Sequence, residues 1–505
     1  MTQTIPQLTA EEAAQMINHG DSVGIGGFTS AGSSKVVIPA LARRAGEEHR
    51  AGRPFKVSVF TGASTADSCD EELCREEAIG YRVPYISNKL ARSMVNAGKM
   101  RYMDLTLSTM ATQLRQGFLG ALDWAVVTAC DLEQVGNTAR IYLTTGVGIS
   151  PTICHEARKG VFVEINEKYY QKANGLHDIY ELERYPNRRP IPVCNPTDRI
   201  GHPYIEVPIE KIKGRIYMSA DDAGHPFAAP NEVTNSIGAH VSDFLLAQIK
   251  EGLIPGNGLI LQSGVGSGAN AVLHALGNNP EVPPLSLYTE VLQDAALQLL
   301  REGKVLGASS CSLTLSPEML EWVYDNMDYV RRQVVLRPSE ISNNPEVIAR
   351  LGVVSMNTAL EVDLYGHGNS TKVFGTNMMN GLGGSSDFTN ASYLSIYTCG
   401  STAKDGRISS IVPFCSHVDQ TQHFVDAVVT EYGVAMLRNK PDLEKAEALI
   451  AIAHPDYRPI LREYLRIASK GGGQAHHCLS AAFALHDTFC RKGDMRLVDW
   501  NEYLH

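Results

Sequence analysis

No Cys-x-x-Cys pair occurs in this chain of 505 residues, although it holds ten cysteines. They stand singly, at 69, 74, 130, 154, 194, 311, 399, 415, 478 and 490. That scatter excludes a disulfide framework and reads as reduced thiols of a cytoplasmic protein. Long apolar runs are absent too. None approaches the roughly 20 residues that a membrane-spanning helix needs, so no membrane partner is expected. A basic leader is missing: Thr9-Ala10-Glu11-Glu12 reads as a capping box opening a helix over Glu11–Ile17, not as a signal peptide. The net charge of −10 speaks against nucleic acid as a partner, while leaving room for a local basic pocket. No Gly-x-Ser-x-Gly elbow is present. Cys415-Ser416-His417 with His423, and His476-His477-Cys478, lack the spacing of a structural zinc site, and no metal is expected.

What is present is ordinary for a globular protein: 44% hydrophobic and 20% charged residues. The length exceeds what one core usually supports. Strand-like apolar runs alternate with helical periodicity, which predicts an α/β fold. Strands are expected near Ser22–Ile25, Lys56–Phe60, Trp124–Thr128 and Val161–Ile165, with helices at Val36–Ala45 and Thr152–Arg158. The segment Gly175–Asp198, rich in Pro, Arg and Tyr, reads as a long excursion. Small, polar and proline-interrupted residues at 219–231 mark a linker, and a helix is expected over Glu232–Glu251. Further strands follow at Leu259–Leu261, Val305–Ala308, Val334–Leu336, Val353–Met356, Ile411–Pro413 and Ala427–Thr430. Gly24-Ile25-Gly26-Gly27-Phe28 before a helix echoes Gly264-Val265-Gly266-Ser267-Gly268 before another, and Phe60-Thr61-Gly62-Ala63-Ser64 echoes Leu306-Gly307-Ala308-Ser309-Ser310. The expectation is two tandem, related, open α/β domains, 1–218 and 232–505, with the active site at their interface.

Three motifs carry chemistry. The turn Gln262-Ser263-Gly264-Val265-Gly266-Ser267-Gly268-Ala269-Asn270 lacks the wider second spacing of a dinucleotide fingerprint. Two readings remain: a tight strand-to-helix connection, or a cradle of backbone amides for an anion or an acyl oxygen. Glu290, in Tyr288-Thr289-Glu290-Val291-Leu292, is by itself a strand-end glutamate of the kind usually solvated. Its apolar neighbours on both sides would partly bury the charge, which needs work or partners to be tolerated. Met379-Asn380-Gly381-Leu382-Gly383-Gly384-Ser385-Ser386-Asp387-Phe388 is either a flexible loop or a backbone that approaches a ligand closely. Ser342-Asn343-Asn344-Pro345 reads as a helix cap. Thr402-Ala403-Lys404-Asp405-Gly406 reads as a turn whose lysine is solvated or reaches a phosphate. One carboxylate with two amide-bearing loops is a kit for acyl chemistry.

In order along the chain, these motifs resemble the acetyl-CoA hydrolase/transferase family. Within it they are most similar to class I CoA-transferases of the succinyl-CoA:acetate and propionyl-CoA:succinate type. The resemblance runs from Gly26-Gly27-Phe28-Thr29 and Thr61-Gly62-Ala63-Ser64 to Ile341-Ser342-Asn343-Asn344-Pro345 and His454-Pro455-Asp456-Tyr457-Arg458. It implies CoA exchange between succinyl-CoA and a short-chain carboxylate through glutamyl anhydride and glutamyl-CoA intermediates. Glu290 would be the nucleophile, ionised at neutral pH from a reference pKa of ~4.3. The amides of Val265 and Gly384 would form the oxyanion hole. Asn343 would orient the glutamate, and Glu431 would support the site. CoA would lie along Leu261, Gln262, Ser263, Gly264 and Val265, with Leu360, Asn380, Gly384 and Lys404 touching it. CoA or acyl-CoA enters as substrate, with no tightly bound cofactor, and a homodimer is expected.

Three positions depart from the family pattern: Ser267 where Asn is expected, Ser386 where Gly is expected, and Tyr432 where Gln follows Thr430-Glu431. They put the preferred acid in doubt and leave the chemistry intact. Two other functions stay open at this point: a hydrolase of acyl-CoA on the same scaffold, and a non-catalytic CoA-binding protein.

Overall fold

The computed structural model describes residues 4–64, 66–222, 224 and 229–504. Its first elements follow directly from local sequence. The Ala10–Met16 helix opens on the Thr9/Glu12 capping box, in which each side chain takes the other's backbone N–H. Strands then follow: β1 (Ser22–Ile25), β2 (Val57–Thr61), β3 (Ile79–Val83), β4 (Arg101–Tyr102), β5 (Trp124–Val135), β6 (Thr138–Leu143), β7 (Gly160–Asn166), β8 (Ile205–Pro208) and β9 (Ile212–Met218). Pairing runs β4-β3-β2-β1-β5, with β7 and β9 following β5 on its far side in parallel. The second half of β5 instead pairs antiparallel with β6, and β6 with β8. β1 and β7 are buried along their whole length, as strands covered on both faces must be. The irregular excursion expected at Gly175–Asp198 contains no helix or ladder strand.

The chain forms two compact units. The first takes Met1–Pro226, Ser286–Leu351 and Asn380–Asp387; the second takes Phe227–Leu285, Gly352–Met379 and Phe388–His505. The division expected from sequence, 1–218 then 232–505, is a division by repeat, and compactness cuts the chain differently. The segment carrying Glu290 belongs to the first unit. It is tied there by backbone bonds, Val147 N–H to Cys311 O at 3.0 Å and Leu313 N–H to Thr145 O at 2.9 Å. Two buried ion pairs, Arg115–Glu340 and Arg337–Asp178, add to them. Of the expected 219–231 linker, residues 223 and 225–228 lie outside the described residues.

The second unit contains the parallel series Ile260–Ser263, Val354–Thr358, Leu394–Thr398 and Ala427–Thr430. This repeats β1, β5, β7 and β9. Even the register corresponds: Val23, Gly24 and Ile25 face Trp124, Ala125 and Val126, as Leu261, Gln262 and Ser263 face Val354, Ser355 and Met356. The fold is therefore α/β with tandem related halves. One expected strand is placed otherwise. Ile411–Val412 pairs with Glu361–Asp363 in a small three-stranded sheet, outside the main series. Among the described residues no helix is long and apolar enough to cross a membrane.

Candidate active site

Glu290 follows the Leu285–Tyr288 strand, whose alternation buries Leu285, Leu287 and Tyr288. Backbone bonds on either side, Thr289 N–H to Ser309 O at 2.9 Å and Cys311 N–H to Glu290 O at 3.0 Å, hold the residue at the strand end. Its side chain points into a small polar cluster of the first unit. Asn343 Nδ2 donates to Glu290 Oε2 at 3.1 Å, and Asn343 Oδ1 accepts from Ser342 Oγ at 2.8 Å. Asn343 is fully buried at the end of the short Ser339–Ser342 helix. That helix is fixed from below by Arg115, which donates to both Glu340 oxygens at 2.9 and 2.6 Å, and by Tyr288 Oη on the Ile341 carbonyl at 2.5 Å.

Gly384 lies against the same carboxyl. A methyl group added to it would overlap Glu290 Oε2 and Asn343 Nδ2, so only glycine allows this approach. The loop is positioned from both ends. Leu382 N–H donates to Asp104 Oδ1 and Oδ2 at 2.9 and 3.0 Å, and Asp387 accepts from Ser108 N–H at 3.0 Å and Ser108 Oγ at 2.6 Å. Gly383 takes a left-handed φ of +63° between these anchors.

Desolvation of the Glu290 carboxyl pushes its pKa up to about 7. The Asn343 hydrogen bond opposes the shift and the Asp387 charge adds to it. The residue keeps a partly open surface. The ordinary carboxylate range behind the expectation of full ionisation therefore does not apply: burial shifts this group toward neutrality. Burial likewise lifts Asp387 to about 7, against hydrogen bonds from Ser108, Asn343 and the Leu107 backbone. Tyr85 is pushed up to about 12 by burial and then by the Glu290 charge, and Cys311 is raised by the same two causes with the Gly148 amide opposing. Both stay neutral over the working pH range.

Glu290, Asn343 and Gly384 are thus brought together. Asn380 begins the same loop, with Nδ2 on the Gly381 carbonyl at 3.4 Å. The other expected residues belong to the second unit. There Leu261, Gln262 and Ser263 are buried in their strand, with Gln262 Oε1 accepting from Met356 N–H at 3.0 Å. Val265, at the turn that follows, is 49% exposed, and the Ser267–Asn278 helix opens at Gly266 with φ +105° and no capping side chain. The turn is the exposed part of this run, and the Leu261 side chain is buried. Leu360 is half-buried, its N–H on the Asn369 carbonyl at 2.8 Å. Lys404 is exposed with φ +51° in the turn between two short strands. Glu431 accepts from Ser401 N–H at 2.9 Å and Ser401 Oγ at 2.5 Å. Tyr432 carries Arg458 over its ring at 5.4 Å and packs edge-on to His454.

In the first half the helix after the corresponding turn starts on a buried carboxylate. Glu164, fully buried, accepts from Ser34 Oγ, Lys35 N–H and Val37 N–H at 2.5, 2.7 and 2.8 Å, capping the Val37–Arg50 helix. Glu164 thus serves the start of the helix that follows the first echoing turn. Asp387, Ser108, Asp104 and Tyr85 were not singled out from sequence. The only local signal was the acid closing the Gly384-Ser385-Ser386-Asp387 run. No group of three or more His, Cys, Asp or Glu suited to a metal occurs among the described residues.

Comparison with known proteins gives the family. Family models of the acetyl-CoA hydrolase/transferase N-terminal and C-terminal domains match residues 5–184 and 320–465. A propanoyl-CoA:succinate CoA transferase of Escherichia coli is 43% identical over 97% of this chain and 98% of its own. A succinyl-CoA:acetate CoA-transferase of Clostridium kluyveri is 42% identical over 97% and 90%. An acetyl-CoA hydrolase of Schizosaccharomyces pombe is 36% identical over 95% and 94%. The fold is shared with solved RipA from Yersinia pestis, TM-score 0.69, 22% identical, covering 92% of this chain and 97% of that one. With both domains matched and such relatives aligned over nearly its whole length, the chain belongs to the acetyl-CoA hydrolase/transferase family and is an enzyme of CoA-thioester chemistry.

Proposed function

We propose that the enzyme is a CoA-transferase exchanging CoA between succinyl-CoA and a short carboxylate, acetate or propionate, with Glu290 as nucleophile. The observation that carries this reading is the setting of Glu290. Its carboxyl is desolvated, held on one oxygen by Asn343 and pressed against backbone at Gly384. A desolvated carboxylate is a stronger nucleophile than a hydrated one, and the glycine lets backbone come close to it.

A Glu290 oxygen attacks the acyl carbonyl. The C–S bond breaks, CoA leaves as thiolate, and a glutamyl-acyl anhydride remains. The thiolate attacks Glu290 Cδ, the anhydride C–O bond breaks, the donor carboxylate departs, and a glutamyl-CoA thioester is left. An acceptor carboxylate then runs both steps in reverse. Protons balance without a general acid, because thiolate and carboxylate alternate as nucleophile and leaving group. The Val265 and Gly384 amides are the proposed oxyanion donors, each worth ~3 kcal/mol in the transition state. Leu261, Gln262, Ser263, Gly264, Val265, Leu360, Asn380, Gly384 and Lys404 are the proposed CoA contacts, Lys404 as a point charge for phosphate. Glu431 supports the site. Ser267, Ser386 and Tyr432 are where the choice of acid would be read. A cytoplasmic homodimer belongs to the same reading, and sedimentation tests its size.

The test is intact-protein mass spectrometry after mixing with succinyl-CoA, with borohydride reduction and peptide mapping. A CoA adduct that reduction converts into an altered residue at Glu290 is expected; an unmodified Glu290 in protein that binds CoA overturns the reading. The second reading is hydrolysis, favoured by fungal relatives named acetyl-CoA hydrolase. Free CoA released at the same rate with and without added acid would establish it.

A further inference from the structure

We propose that Tyr457 is a positioning residue for CoA: its hydroxyl, on the Gly406 carbonyl, holds the turn that presents Lys404 to the phosphates. The proposal rests on Lys404 being a CoA contact.

The turn needs holding. It joins two short strands, Thr402–Ala403 and Ile408–Ser409, paired as Thr402 with Ser409 and Ala403 with Ile408. At its tip Lys404, Asp405 and Gly406 stand in succession at φ +51°, +55° and +79°. Only the glycine takes that region freely. A side chain there crowds its own backbone, and two such residues in a row persist where neighbours over-determine them. Within the turn, Arg407 donates to the Lys404 carbonyl through its N–H at 3.3 Å and its Nε at 2.9 Å. Lys404, Asp405 and Arg407 are exposed, so burial of their side chains does not fix the tip.

The support comes from the core of the second unit. Tyr457 is fully buried there, packed in one cluster with Leu461 and Tyr464, and its Oη donates to Gly406 O at 2.8 Å. Burial holds the phenol far above its ordinary range, so the hydroxyl stays a donor at every working pH. The next carbonyl, that of Arg407, accepts from Met495 N–H at 3.0 Å, and Met495 Sδ accepts from Ser409 N–H at 3.3 Å. Ahead of the hairpin, Ser401 is held by Glu431. The run His454-Pro455-Asp456-Tyr457-Arg458 gains a purpose from this: Asp456 meets Arg496 at 3.3 Å, and a Cβ on Gly406 would stand 3.9 Å from that same Arg496 Nη1. A lysine on a loose tip must be ordered each time a ligand binds. On a fixed backbone only its side chain is left to order, and affinity rises accordingly.

The test compares wild type, Tyr457→Phe, Lys404→Ala and the double variant in thioester consumption. Two substrates are used: succinyl-CoA, and succinyl-pantetheine, which keeps the thioester and carries no phosphate. Tyr457→Phe is expected to lower kcat/KM for succinyl-CoA roughly 3–10-fold, the worth of one hydrogen bond, and to leave succinyl-pantetheine unchanged. Lys404→Ala should lower the same quantity further. Adding Tyr457→Phe to it should change nothing more, because the turn then has no lysine to present. Met495→Leu removes the sulfur acceptor at nearly constant volume, and carries the same comparison should Tyr457→Phe not fold.

A merely structural tyrosine would affect both thioesters alike, and its effect would add to that of Lys404→Ala; either result overturns the proposal. If Lys404→Ala leaves the preference for succinyl-CoA over succinyl-pantetheine intact, the lysine is not a phosphate contact and the inference falls with that reading. If Lys404→Ala lowers the preference and Tyr457→Phe does not, the lysine reading stands and the inference alone fails.

Discussion

Gly384 and Glu290 occupy adjoining space: a Cβ on the glycine would stand 1.9 Å from Oε2 of the glutamate. Nothing larger than glycine fits at 384 without displacing that carboxyl. The Gly384 backbone and the Asn343 side chain both lie against the Glu290 carboxyl.

Gly384→Ala is therefore expected to lose on the order of 10²-fold in turnover, because the glutamate must shift. Forcing the methyl group into place also costs about 1–3 kcal/mol of stability. Steady-state CoA exchange and thermal unfolding check both. A variant with wild-type exchange would show that the loop relaxes freely.

Activity of the substrate-free enzyme is expected to rise with pH through about 7, as Glu290 ionises. The profile of kcat/KM reports this step, since it reads groups in the free enzyme. A flat profile from pH 5.5 to 8.5 (roughly 1.5 units either side) would place the carboxyl near its ordinary range.

The same shift bears on stability, with a definite sign. Burial raises the Glu290 pKa in the folded state, so between about 4.5 and 7 the folded protein holds a proton that the unfolded chain has released. Stability therefore falls as pH rises through that window. Glu290→Gln should be more stable than wild type at pH 8 by on the order of 1–3 kcal/mol. At pH 4 the two should be equal. Urea unfolding at both pH values measures the difference.

Arg115 and Glu340 are 6% and 1% exposed, and their two-bond pair underlies the helix that presents Asn343. Arg115→Met alone leaves a buried carboxylate and should cost about 3–5 kcal/mol. Combined with Glu340→Leu, much of that loss should return, as apolar packing replaces the pair. Chemical denaturation of single and double variants forms the check, and a fully additive double variant would count against a paired role.

Much of the architecture was legible along the chain. The β1 bounds agree with the expected strand, and those of β2, β5 and β7 begin within one residue of it, since glycine and periodicity punctuate each apolar run. The central Leu394–Thr398 strand was missed, because five buried residues show no contrast with their surroundings. Glu290, Asn343 and both glycine-rich turns were visible as motifs because each depends on residue type in a short run.

What the chain could not disclose by itself is whatever depends on distance in space. Ser108 and Asp387 lie 279 positions apart, and only folding sets one carboxyl on the other's hydroxyl and amide. The pKa of Glu290 likewise belongs to its surroundings: the residue is an ordinary glutamate in sequence, and loss of hydration in the folded cluster moves it toward 7. Sequence alone displayed Glu290 and the two glycine-rich turns as motifs, because residue type and backbone freedom are properties of single residues. Tertiary structure decided the surroundings of the Glu290 carboxyl, its burial and its Asn343 hydrogen bond, because desolvation and hydrogen bonding are properties of neighbours.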